Sequence, residues 1–271
     1  PPLEFVSRDR ELRINALNER GSVLINLFAD VLTADPNIQV NSRDERHLVL
    51  HISVGTEIFP EEERSFQPTV FTPLRLLYGE FKGVEDSMLG VYGAFGHDLI
   101  FQFEPINRVH ARPAESKEMH LFLPDSIFLL DRRKETLVRF DYSFSRGDQS
   151  TAGLNDAPFV PLQRAKGDIG PSCEVTSQHT PESYAAMVEA ARGRMQVGDV
   201  YELVLHRRFS VYGEFLPSAV WRTMSGFNPS PYEFLCQFGD EQLVGTSPEM
   251  FIRVSGDRVE SCPISGTARR G

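Results

Sequence analysis

Two carboxylates, a run of small polar residues and a proline-rich turn are the features of this 271-residue chain whose types and spacing could do chemistry. Glu249 follows Ser247-Pro248 in "VGTSPEMFIRVSGDRVESCPISGT" (244–267), which reads as a β-hairpin turning at Ser255-Gly256-Asp257. Pairing of Val254 with Val259, Ile252 with Ser261 and Met250 with Pro263 sets Glu249 opposite Ile264, next to Ser265-Gly266-Thr267. Free backbone N–H groups and a threonine hydroxyl in such a turn are suited to holding an anion. A carboxylate beside an anion has a raised pKa, which suits a general acid. The alternative is a surface acid on an edge strand beside an ordinary turn.

Glu202 is the second candidate. In "VYELVL" (200–205) both alternating faces are apolar, so the pattern predicts a strand with Glu202 buried or half-buried. A carboxylate there must be hydrogen-bonded, face a wet cavity or pair with an arginine such as Arg207 or Arg208. His206 at the strand's exit reads either as a base or as a structurally satisfied histidine. "NPSPYEF" (228–234) is a turn in which Pro229 and Pro231 restrict the backbone while Tyr232 and Phe234 pack. There is no H-x-x-H, H-E-x-x-H or Cys/His cluster to support a transition-metal site. Neither a G-x-S-x-G elbow nor a Walker or dinucleotide glycine pattern is present, and "YGAFGHDL" (92–99) fits none of them.

The elements that must position these residues read as mixed. "HLVLHISV" (47–54) alternates with period two, turning Leu48, Leu50, Ile52 and Val54 to one side. "MHLFLP" (119–124), "SIFLLD" (126–131) and "KETLVRFDYSF" (134–144) read as a hairpin or meander. "TPLRLLYGEF" (72–81) has helical spacing, with Thr72 as N-cap and Pro73 at the first position. Residues 145–175 are aperiodic and rich in Gly, Pro, Ser and Asp, the signature of a long connection. Thr180-Pro181-Glu182 then opens a helix whose Tyr184, Met187, Val188, Ala191 and Met195 share a face, ending at Gly198. Strands first, then helix and strand, favour an α+β fold with antiparallel sheets over a doubly wound parallel one.

Composition narrows the partners. A net charge of -10 and a pI near 5.2 argue against nucleic acid or an anionic membrane as the main partner. The basic clusters Arg132-Arg133-Lys134 and Arg207-Arg208 are short enough to be solvated faces. Cys173, Cys236 and Cys262 are widely spaced and odd in number, which predicts reduced, buried thiols in a cytoplasmic protein. No apolar run approaches the roughly 18 residues of a membrane span, and no signal peptide is visible. The first residue is not Met and "GTARRG" ends in a loop, so the chain is expected to be a piece of something longer.

Three segments in order over 176–271 resemble the chorismate-utilising enzymes. These are "GDVYELV", "NPSPYEF" and "GTSPEMFIRVSGDRVESCPISGT". Within that family the resemblance is to anthranilate synthase component I, in the form fused to a glutamine amidotransferase, which "LNERG", "VYGAFGHDLIFQFEP" and "LFLPDSIFLLD" also resemble. It implies an α+β sandwich of two intertwined antiparallel sheets flanked by helices, here only its N-terminal part. The expected division is 1–170 for the N-terminal region and 171–271 for the start of the chorismate-binding core. The resemblance makes Glu249 the general acid for departure of the C4 hydroxyl of chorismate, and Gly266 and Thr267, beside Ser265, substrate contacts. Glu202 falls where relatives that activate water carry Lys and those that use ammonia carry Gln or Glu, which implies amination. Its separation of 47 positions from Glu249 (249 − 202) fits the family's two-sided site. Mg²⁺ is implied, with its ligands expected downstream of residue 271 and none in this segment. The turn at Asn228, Pro229, Tyr232, Glu233 and Phe234 matches the family's tryptophan inhibitor pocket, with Glu233 where Met is common. The implied reaction is anthranilate formation with ammonia from a glutamine amidotransferase, by a homo-oligomer. The alternatives are 2-amino-2-deoxyisochorismate synthesis or a non-catalytic tryptophan- or chorismate-binding module.

Overall fold

The computed structural model describes residues 1–55, 59–82, 84, 86–104, 106–108, 110–154 and 174–264, which fall into two compact units, Pro1–Phe159 and Val160–Gly271. In the first unit, β1 (Leu3–Arg8), β2 (Glu11–Ala16), β3 (Ile38–Arg43), β4 (His47–Ile52), β5 (Tyr92–Phe95) and β6 (Met119–Leu123) form one antiparallel sheet, ordered β3-β4-β2-β1-β6-β5. Helices α1 (Glu19–Leu32) and α2 (Phe71–Glu80) accompany it. Then β7 (Ser126–Asp131) and β8 (Thr136–Asp141) form a hairpin, as the pattern predicts, and β9 (Ser145–Arg146) pairs with β10 (Gln149–Ser150). That small hairpin lies inside the stretch read as an aperiodic connection.

Period-two patterning builds the core. Leu3 and Phe5, Leu12 and Ile14, Leu48, Leu50 and Ile52, and Met119, Leu121 and Leu123 are all buried, together with Leu24, Ile25, Phe28 and Leu32 of α1. Val54, expected on the same side as Ile52, lies past the strand end and is exposed. The rings of Phe28, Phe81 and Phe144 meet edge to face, with centroids 5.9–6.3 Å apart. Helix α2 begins two residues earlier than the sequence predicts. Val70 is its N-cap, and Thr72 Oγ1 accepts the Thr69 N–H at 3.1 Å instead of capping the helix. The Val70 N–H donates to Gln102 Oε1 at 3.1 Å, and no side chain caps the helix.

"LNERG" is explained by packing. Asn18 caps α1, its Oδ1 accepting the Gly21 N–H at 3.0 Å. Arg20 is buried, with Nε 2.7 Å from Asp125 Oδ2 and guanidinium donors on the Thr151 and Tyr142 carbonyls. One cation thus joins the helix start to the β6–β7 turn and to the chain around β10. A Cβ on Gly21 would stand 2.2 Å from the Pro2 carbonyl oxygen, so only glycine lets α1 lie against β1. A second polar knot holds the opposite end of the sheet. Buried Glu118 accepts from Arg112 and from Gln102 Nε2, which also donates to the Asp9 carbonyl at 2.7 Å.

In the second unit, β11 (Val175–Ser177) pairs with β12 (Phe209–Val211), and α3 (Pro181–Gln196) lies between them in sequence. Its start is as predicted: Thr180 Oγ1 accepts the Ser183 N–H at 3.2 Å. Helix α4 (Pro217–Phe227) packs on the hairpin of β13 (Tyr232–Phe238) and β14 (Glu241–Ser247), and β15 (Arg253–Ser255) pairs with β16 (Arg258–Glu260). The antiparallel α+β class is therefore borne out. The strand predicted over 200–205 is not: the strand that follows α3 is Phe209–Val211, and Tyr201 is 96% and Val204 79% exposed. A strand needs a partner for its N–H and C=O groups, and among the described residues none pairs with 201–207. Cys262 is exposed and Cys236 half-buried, contrary to the expectation of buried thiols, and Cys173 lies outside the described residues.

Arg20→Ala should cost about 3–5 kcal/mol of unfolding free energy, because Asp125 and two carbonyls lose a buried partner. Urea denaturation followed by circular dichroism measures this, and Gly21→Ala should shift the same transition in the same direction. A pH-dependent effect is expected at Glu4. The hydrogen bond from His120, whose Nε2 lies 2.5 Å from Glu4 Oε1, holds the Glu4 carboxyl below the ordinary value near 4.5. A depressed native value means that stability is fully present above the ordinary value and lost as pH falls through the native one. The melting-temperature gap between wild type and Glu4→Gln should therefore be constant at neutral pH and close on acidification below about 4.

Candidate functional site

The carboxylate at the centre of the sequence reading sits on a short linker between two hairpins. Strand β14 ends at Ser247 and β15 starts at Arg253, so Pro248–Ile252 carries Glu249 across. Pro248 has no N–H to continue the ladder, which accounts for the break. The linker is locally tied: the Glu249 N–H donates to Ser247 Oγ at 3.3 Å. Glu249 itself is half-buried.

The hairpin beyond it has the predicted register, with Val254 opposite Val259 around a two-residue turn at Gly256-Asp257. The ladder ends at Arg253–Glu260, and the chains then continue side by side with a shift. The Ser261 hydroxyl donates to the Phe251 carbonyl at 2.8 Å and the Cys262 N–H to the Met250 carbonyl at 3.3 Å. Glu249 is thus one residue beyond the last bond of a chain that leads into Pro263 and Ile264. Ser265, Gly266 and Thr267 lie outside the described residues.

Strands β13 and β14 position the start of the linker. Their register pairs Tyr232 with Ser247, Glu233 with Thr246 and Phe234 with Gly245. A Cβ on Gly245 would lie 2.2 Å from Phe234 Cζ, because the ring lies across the glycine; this is the physical content of the glycine in "VGTSPE". The "NPSPYEF" turn is tied at several points. Glu233 accepts the Ser225 hydroxyl of α4 at 2.6 Å and the Ser230 N–H at 3.3 Å, and Asn228 Nδ2 donates to Thr246 Oγ1 at 3.1 Å. Tyr232 Oη accepts from Arg253 at 3.1 Å. These contacts were not legible beforehand, because they depend on which residues face each other across β13 and β14. The Glu at 233, where the family often has Met, is the one signal that pointed to them.

Glu202 differs from its expectation: it is exposed, outside any strand, and makes no hydrogen bond or ion pair among the described residues. Arg207, offered as its partner, instead donates from Nε to Ser177 Oγ at 2.7 Å and stacks 4.7 Å above the Phe209 ring. His206 is exposed and is not the satisfied structural histidine. Among the described residues no group of three His, Cys, Asp or Glu converges on a common point, so these residues do not supply a metal site. No described helix is long and apolar enough to cross a membrane.

Comparison with known proteins agrees with these motifs. Residues 35–271 match the chorismate binding enzyme family, and the chain belongs to it. It is 38% identical over 276 aligned residues to the anthranilate synthase of Azospirillum brasilense, covering all of this chain and 36% of that protein. It is 25% identical to anthranilate synthase component 1 of Vibrio cholerae, over 99% of this chain and 53% of that one. The crystal structure of anthranilate synthase component I from Streptococcus pneumoniae superposes with a TM-score of 0.55 at 23% identity, covering 83% of this chain and 51% of that one, a likeness of fold. The chain thus spans about half or less of the length of these relatives.

Gly245→Ala should force the Phe234 ring off the β13–β14 pair. The expected result is a lower melting temperature for the second unit and a changed near-ultraviolet aromatic signal, whereas an exposed strand glycine changed to alanine is otherwise neutral or stabilising.

Proposed function

We propose that the chain is part of an aminating chorismate enzyme, an anthranilate synthase acting in tryptophan biosynthesis. The observation that carries this is Glu249, half-buried on a linker whose backbone is tied to Ser247, within a family match covering residues 35–271. Ammonia adds at C2 of chorismate while the C4–O bond breaks, and Glu249 gives its proton to the departing hydroxyl, which leaves as water. The added ammonia loses a proton to solvent. Loss of the C2 proton and cleavage of the C3–O bond then leave the aromatic ring of anthranilate, and the departing enolpyruvate gains a proton on its methylene carbon to become pyruvate.

Ser265, Gly266 and Thr267 are proposed to hold the substrate, and Glu202 to serve the ammonia side in place of the lysine that would activate water. Mg²⁺ belongs to the proposal as a hard-cation partner of the substrate carboxylate, with ligands that the described residues do not supply. A glutamine amidotransferase supplies ammonia, and the protein is taken to be a cytoplasmic homo-oligomer, with reduced thiols in keeping with that compartment. Tryptophan feedback at Asn228, Pro229, Tyr232, Glu233 and Phe234 must contend with a Glu233 carboxylate already engaged by Ser225 and Ser230.

Mass analysis of products made by the full-length protein from chorismate, Mg²⁺ and ammonium should show anthranilate and pyruvate. A product that keeps its enolpyruvyl group would remove anthranilate from the account and leave aminodeoxyisochorismate. Glu249→Gln should lower turnover by about 10²–10⁴ with chorismate binding nearly unchanged. Calorimetry with tryptophan tests the regulatory arm.

A further inference from the structure

We infer that Tyr232 and Arg253 form a clamp that positions the Glu249 linker. The inference rests on the reading of Glu249 as the general acid, and it gives Tyr232 a task distinct from lining an inhibitor pocket. The linker Pro248–Ile252 leaves β14 at Ser247 and enters β15 at Arg253. Tyr232 holds both ends. Its backbone is paired with Ser247 across the β13–β14 ladder, and its hydroxyl accepts from the Arg253 guanidinium at 3.1 Å. Arg253 is held from its other side by Glu260, its cross-strand partner, whose carboxylate lies 3.7 Å from the second guanidinium nitrogen. The chain Tyr232–Arg253–Glu260 therefore fixes the separation of the two hairpins between which Glu249 is slung.

The physics sets both the direction and the size of the effect. The five linker residues are tied at Glu249 to Ser247, at Met250 to Cys262 and at Phe251 to Ser261, none of which fixes the distance between the two hairpins. The Tyr232–Arg253 bond sets that distance and removes part of the remaining freedom, and a proton donor is effective only within a few tenths of an ångström of its acceptor. Both anchoring groups are solvent-exposed, so the bond changes rates by a few-fold and not by orders of magnitude. Tyr232 and Arg253 touch no reacting atom in this account and are positioning residues.

The test uses the full-length protein with chorismate and ammonium. Tyr232→Phe removes one oxygen, and Arg253→Met removes the donor while keeping the stem. Each should lower kcat about three- to tenfold with KM for chorismate within twofold. Because both act through one bond, the double variant should be no slower than the slower single, and Arg253→Lys should recover much of the loss. In a Glu249→Gln background, Tyr232→Phe should have no further effect on the residual rate. Unchanged kcat in both single variants, losses that multiply in the double, or an undiminished Tyr232→Phe effect without Glu249 would each overturn the clamp. A Glu249→Gln enzyme with wild-type turnover would overturn the reading beneath it, and is distinguishable because it needs no clamp variant. Should Arg253→Met fail to fold, Tyr232→Phe and its Glu249→Gln combination decide alone.

Discussion

The register of one antiparallel pair governs what the second unit can do. With Tyr232 opposite Ser247 and Phe234 opposite Gly245, β14 leaves its partner at a fixed point, and Pro248 prevents the ladder from going further. A slip of one residue would turn Glu233 away from Ser225 and Ser230 and set a side chain other than glycine beneath the Phe234 ring. Everything downstream inherits that register: the tie from Ser247 to Glu249, the reach of Tyr232 to Arg253 and the approach of the chain through Cys262 toward Ile264. The carboxylate is placed by strand pairing at a distance, and its own contacts are few.

The first unit solves a different problem. Its six-stranded sheet hides one apolar face beneath α1, and the packing is close enough that the Pro2 carbonyl leaves no room for a Cβ at Gly21. Close approach brings charged groups into the interior, and Arg20 and Glu118 are both paired. Arg20 meets Asp125 and two carbonyls, and Glu118 meets Arg112 and Gln102. Such groups are costly when alone and specific when satisfied. That is why the "LNERG" residues matter to the packing of the first unit.

Local rules and non-local pairing contributed unequally to what could be read in advance. Alternation through 47–52, the Thr180 cap of α3 and the Val254–Val259 register are decided by neighbours within a few positions, and each is found as expected. Thr72 does not cap α2: its hydroxyl accepts the Thr69 N–H, and the Val70 N–H at the helix start goes to Gln102, thirty-two positions away. The apolar run around Glu202 carries the period of a strand, yet pairing is a property of a partner, and none of the described residues supplies one. Glu249 was legible as a carboxylate beside a turning chain; its anchors were not, since Tyr232, Ser247 and Arg253 are related only through a sheet.

A family match over 237 of the 271 residues (35 to 271) and a folded linker bearing a half-buried glutamate are what support the proposal that Glu249 donates the proton to the departing C4 hydroxyl. The pH dependence of kcat/KM for chorismate, compared between the wild-type full-length protein and Glu249→Gln, tests it most directly. A general acid imposes a falling alkaline limb as its proton is lost. The account predicts that limb in the wild type and its absence from the much slower variant. An unaltered alkaline limb in Glu249→Gln would assign the proton to another group.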